Sequence, residues 1–347
     1  MSDIAAATAI GPSALYRHFR GKDDLLYHVV HHELTAIRAA VANPPDDEGT
    51  LRAAVEAVLD HRHTGVLWQR ESRHLAPSSR RALRDELRAI QRRFAGLLTR
   101  RRRELPAPHR EIIAWASLAA LMSVSFQRIA LPRAEYEELL GAVARDVLDS
   151  PVRPGETGHA PPAPAPATRR DELLAAATRL FAERGYETVG VDDLGAAAGI
   201  AGPSVYNHFD SKLDLLLTIL STGNDQLQEY RSRMPADDQD ALRGLVRSYA
   251  EFSFANSAGT ELMITETAHL PEPHRTTVRD TQRGYVAEWT GRLRRVHPEM
   301  SPAHVRVRVQ AAINVITDIA RMPRLRARPT ALPTVRAIGQ AVLRAGE

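Results

Sequence analysis

The chain has 347 residues, 46 of them basic and 42 acidic, a formal charge of +4 and no cysteine. That length is too great for one small core and suits two domains or domain pairs, and the missing thiols exclude disulfides, thiolate nucleophiles and cysteine-ligated metal centres. There is no membrane-length apolar run, secretory signal pattern or lipidation motif, so the expected setting is the cytoplasm with no membrane partner.

Ala, Leu, Arg and Glu recur at helical spacing from end to end, so every element is expected to be a helix. Residues 1–28 read as a short helical unit ending in LYRHFRGKDDLL, Leu15 to Leu26. Residues 29–150 follow as a helical domain broken at Pro44-Pro45, Pro106 to Pro108 and Pro132, its last two helices expected over Arg110 to Ala130 and Arg133 to Leu148. Residues 151–168 are rich in Pro and Ala and form a semi-rigid spacer able to reach roughly 55 Å, far enough to pass along one folded half.

Beyond the spacer, residues 169–220 contain three helices and the start of a fourth. Asp171 to Glu187 is amphipathic, with Leu174, Ala177, Leu180 and Phe181 on one face and a stop at Gly185. A short helix is expected from Val191 to Ala198, a tight turn at Gly199, a second short helix from Gly202 to His208, and a longer helix opening near Ser211. Two short helices around a glycine turn are the geometry that presents a helix to the DNA major groove. Residues 221–347 complete a second helical domain, whose last pair is expected over Ala303 to Met322 and Leu332 to Leu343.

The two halves are copies. VYNHFDSKLDLL, Val205 to Leu216, repeats Leu15 to Leu26, and each copy carries one of the only two lysines, Lys22 and Lys212. Asp3 to Ala7 aligns with Asp193 to Ala197, Glu71-Ser72-Arg73-His74-Leu75 with Glu266-Thr267-Ala268-His269-Leu270, and Gln91 to Phe94 with Gln282 to Tyr285. In this alignment Met1 meets Val191, so the first copy reads as a partial motif without the counterpart of the helix from Asp171 to Arg184.

Leu173, Ala176, Leu180-Phe181, Gly185-Tyr186, Val191, Leu194, Ala198-Gly199-Ile200, Tyr206, His208-Phe209, Lys212 and Leu215-Leu216 together resemble the helix-turn-helix of TetR-family transcriptional regulators. The resemblance implies an all-α fold of two TetR-like units in tandem, each a helix-turn-helix followed by a helical regulatory domain. It also implies a non-enzymatic, ligand-released repressor whose partners are a double-stranded DNA operator and a small-molecule effector. The halves are expected to pair as an internal pseudo-dimer, with a homodimer of chains as the other arrangement. Small residues Ala116, Ser117, Ala119, Ala120, Ser123, Ala311 and Ala312 would let the pairing helices approach. The alternative function is a ligand-sensing or interaction protein of the same fold in which one or both DNA motifs are inactive.

The expected phosphate contacts are Tyr206, Lys212 and His208, and the expected base-reading face is Ala201, Gly202, Pro203, Ser204 and Asn207. The first-copy equivalents are Gly11, Pro12, Ser13, Tyr16, Arg17, His18 and Lys22. Asn207 suits adenine where Arg17 suits guanine, so the two readers should prefer different half-sites. Gly190 and Ala201 stand where the family usually places Ser or Thr caps, which predicts weaker helix starts.

Trp68, Glu71, His74, Glu266 and His269 are the candidate pocket residues, with buried Glu–His pairs as the competing role for the repeated Glu-x-x-His-Leu. No cofactor or metal is implied: His28, His31, His32, His61 and His63 cluster without HExxH or a completing carboxylate, and neither GxSxG nor a phosphate-binding glycine loop occurs. The arginine runs Arg100 to Arg103 and Arg292 to Arg295 read as the solvated faces of long helices.

Overall fold

A computed structural model describes residues 4, 7, 12–44, 46–162 and 165–345, and among them the chain is helical with no strand. The first half contributes α1 (Pro12–His18), α2 (Lys22–Ala40), α3 (Asp47–Asp60), α4 (Thr64–Glu71), α5 (Pro77–Arg101), α6 (Ala107–Met122) and α7 (Arg133–Leu148). The second contributes α8 (Arg169–Arg184), α9 (Val191–Ala197), a 3-10 turn (Gly202–Asn207), α10 (Lys212–Ser232), α11 (Asp238–Ala255), α12 (Ser257–Thr265), α13 (His274–Val296), α14 (Pro302–Arg321), α15 (Pro323–Arg326) and α16 (Ala331–Leu343).

Local chemistry sets many of these starts. Asp46, Asp237 and Ser301 each accept a backbone N–H three residues on, capping α3, α11 and α14, and Thr168 and Asp171 form a reciprocal capping box at α8. One boundary differs from expectation. The helix expected over Arg110 to Ala130 ends at Met122, where the chain tightens into a 3-10 turn, Ser123–Phe126. Ser125 Oγ there accepts the Gly65 N–H at 3.0 Å, and a Cβ on residue 65 would stand 2.6 Å from that oxygen. Glycine at 65 therefore lets α4 reach this turn, and the helix gives way to meet it.

The two halves share one apolar core. A continuous buried cluster joins Leu51, Phe94, Ile112 and Leu140 to Val246, Trp289, Val315 and Val342. At its centre α6 and α7 pack on α14 and α16, the pair of helices from each half that the sequence assigned to pairing. The small residues named above are all buried there, and their size permits close helix approach. Polar links that tie the halves include Arg308 to Asp146 at 2.5 Å, His304 to Glu135 at 3.0 Å, Arg328 to Glu111 at 2.6 Å, and Gln69 to Asp318. The spacer is docked as well: the Gly158 N–H donates to Pro329 O at 2.8 Å, and Val152 is buried.

A second, separate core holds residues 173–220 together. Leu173, Leu180, Phe181, Leu194, Val205, Phe209, Leu215 and Leu216 bury one another, and Leu262, Leu270 and Val278 from α12 to α13 close the base. This small core is what positions the 3-10 turn Gly202–Asn207.

Candidate nucleic-acid interface

The second head is built around α8, whose Leu and Phe face is covered by α9 and α10. Its start is pinned to the motif twice. Arg169 donates to Ala198 O at 3.0 Å, and the Arg170 guanidinium lies 4.3 Å from the centroid of the Phe209 ring. Helix α9 begins at Gly190 with no side-chain acceptor there, but the Asp193 carboxylate accepts the Gly190 N–H at 2.9 Å, so half of a capping box survives. Gly199, at φ +69°, then turns the chain in a conformation L side chains rarely adopt.

The reading element differs from the expected short α-helix. It is a 3-10 turn ending at Asn207, with an uncapped start at Ala201 and a proline at its second residue, whereas the equivalent first-copy segment, α1, is α-helical. Gly202 corrects a second expectation. Placed by sequence on the DNA-facing surface, it is buried against α9, where an added Cβ would collide with Asp192, and a Cβ on Gly195 would stand 2.7 Å from Gly202 N. Its role is close packing of the two elements.

Ala201, Pro203, Tyr206 and Asn207 are exposed, and Ser204 and His208 are half-buried. In the first copy Ser13, Tyr16, Arg17, His18 and Lys22 are exposed; Gly11 lies outside the described residues, and so does the side chain of Pro12. Tyr206 and Tyr16 are 52% and 58% exposed, and among the described large hydrophobics only Val29 joins them in standing out to this degree. An exposed tyrosine therefore projects from α1 and from the Gly202–Asn207 turn, at equivalent places in the aligned halves.

Lys212 has internal partners that the sequence did not reveal. Its ammonium donates to Tyr186 O at 3.0 Å and Val189 O at 3.2 Å and sits 4.3 Å from the Tyr186 ring centroid. Two of its three N–H groups thus fasten the start of α10 to the turn after α8, which leaves one for an external acceptor.

The pocket candidates line neither of two surface grooves. His74 and His269 are exposed, and Trp68 packs part-buried on the shared core. Glu71 is half-buried. Glu266 is buried, and its partner is Arg73 rather than a histidine. Two surface grooves, of about 230 and 200 Å³, are lined by other residues, the first between α3 and α7 and the second under Pro161-Pro162 of the spacer. Among the described residues no group of three His, Asp or Glu is arranged to hold a metal ion, and no helix is long and apolar enough to cross a membrane.

The sequence model of bacterial regulatory proteins of the tetR family matches residues 1–29 and 173–219, one segment in each half. The chain is 36% identical over 108 residues to the HTH-type transcriptional activator FasR of Mycolicibacterium smegmatis, covering 30% of this chain and 49% of that protein. It is 38% identical over 112 residues to the HTH-type transcriptional repressor KstR2 of Rhodococcus jostii, covering 31% of this chain and 55% of that protein. The chain thus spans about half the length of these curated relatives. Among solved structures, the TetR family regulator PfmR from Thermus thermophilus aligns at 25% identity with a TM-score of 0.45, over 51% of this chain and 97% of that one.

Proposed function

We propose that the chain, matched in both halves by the sequence model of bacterial regulatory proteins of the tetR family, is a single-chain transcriptional repressor of that family whose two heads read unlike halves of one operator. The observation that carries this reading is the pair of exposed reading elements, one with Tyr206 and Asn207 and the other with Tyr16 and Arg17, on halves that share a buried junction. Tyr206, Tyr16 and the remaining Lys212 N–H suit phosphate oxygens and set register. Asn207 fits adenine and Arg17 fits guanine, each good bidentate contact discriminating by about 1–3 kcal/mol. Repression follows the name of the KstR2 relative; the FasR relative is named an activator, so a promoter–reporter fusion decides the sign.

Effector release belongs to the second half in this reading. Tyr249, Tyr285 and Trp289 pack with ring centroids 5.9–6.1 Å apart, and burial pushes the Tyr285 phenol up. The first-half equivalents of Tyr285 and Trp289 are Phe94 and Leu98, both buried and without a polar atom. An apolar effector with one polar group therefore has recognition chemistry on one side only, and its entry would change the separation of the reading elements.

Selection of duplexes from a random pool by the full chain tests the proposal. It predicts a recovered motif of two dissimilar halves about one helical turn, roughly 34 Å, apart, with affinity falling steeply as salt rises. A palindromic motif would remove the two-reader assignment, and no enrichment at all would remove DNA binding.

A further inference from the structure

A chain of polar contacts runs from the first half into the second head. Arg73 sits in the 3-10 turn Ser72–His74 that follows α4, and Arg80 braces that turn by donating to Arg73 O and Leu75 O at 2.9 and 3.1 Å. The Arg73 guanidinium pairs with Glu266, at the end of α12, which is only 2% exposed. Glu266 Oε1 also accepts the Tyr186 N–H, in a long bond of 3.4 Å, and Tyr186 O accepts from Lys212 as described. Arg73 lies beside the end of α8, its Nη1 3.8 Å from where a Cβ on Gly185 would be.

This route has no mirror image. In the repeat, Glu266 corresponds to Glu71, but Arg73 corresponds to Ala268, so the second half offers no cation to the first-half glutamate at that position. A buried carboxylate is costly unless paired, so Glu266 depends on the cation that the other half supplies.

We infer that Arg73 is a positioning residue acting across the junction: through Glu266 it holds the Tyr186 turn, and through that turn and Lys212 it fixes the pitch of the second reading element. Displacement of α4 in the first half is thereby coupled to the second head, and Ala268, at the place equivalent to Arg73, cannot make the same contact in the other direction. The inference rests on reading residues 169–209 as a DNA head, but the latch itself is measurable without DNA.

Hydrogen exchange on the full DNA-free chain is the test. In Arg73→Ala, peptides covering 182–190 and 202–212 should exchange about tenfold faster, while α1, α2, α6 and α14 keep their protection. If Arg73→Ala loses protection everywhere, Arg73→Gln, which keeps a donor without the charge, is judged by the same pattern. On a duplex selected by the parent chain, footprinting of the variant should show protection lost first at the Asn207 half-site. Unchanged exchange at 182–190, or an equal rise in α1 and α2, overturns the latch. Faster exchange with both half-sites protected as before overturns the positioning role. Failure to select any duplex counts against the DNA reading alone, because the exchange result stands by itself.

Discussion

Asp318 stands at the junction with Gln69 on one side and Arg321 and Glu261 on the other. Burial raises its carboxyl to about 6, with Arg321 opposing the rise and Glu261 adding to it. The folded state therefore keeps a proton that the unfolded chain releases between about pH 4 and 6, and this group's contribution to stability falls as pH rises through that window. Asp318→Asn should consequently be more stable than the parent at pH 7, and the gap should close by pH 4. Because 17% of the side chain is exposed, solvent screening holds the gain to about 1 kcal/mol. Denaturant melts at the two pH values measure it, and a loss of stability at pH 7 would contradict the assignment. Lys212 makes the second prediction at this scale. With one N–H left for phosphate, Lys212→Ala should lower the slope of log affinity against log salt by about one. An unchanged slope would mean that its role is wholly internal.

At the scale of elements, the second head depends on α8. Phe181 is fully buried and stacks edge-on against Tyr186 at 5.2 Å between centroids. Phe181→Ala should cost about 3–5 kcal/mol locally, seen as lost exchange protection in 169–209 while α6 and α14 stay protected. The existence and order of these helices were legible in the sequence because amphipathic spacing, caps and the glycine turn are local signals. The helices that pack between the halves were marked by the family resemblance rather than by their small residues, which serve ordinary core packing within one half equally well. The end of α6 at Met122 was not, because it is set by Gly65 reaching Ser125 from a distant part of the chain. The burial of Gly202 and the 3-10 form of the second reader depend in the same way on how α9 packs. The Arg73–Glu266 pair joins residues 193 positions apart, and the repeat pattern drew attention to the glutamate while leaving its partner unmarked.

For the whole molecule, both sides of the helical junction lie on one chain. The surfaces of α6, α7, α14 and α16 are consumed internally, and the spacer is long enough to allow this while keeping the halves at high effective concentration. The two halves also differ at equivalent positions: Arg17 aligns with Asn207, Phe94 with Tyr285, and Arg73 with Ala268. In the proposed reading the second half keeps a polar core suited to an effector, and the first half supplies Arg73, which pairs with Glu266. The most direct test of this account is the stoichiometry of the complex on a selected duplex, measured by native mass spectrometry or sedimentation. One chain per duplex with both half-sites covered is expected; two chains on each duplex would mean that one chain does not supply both readers.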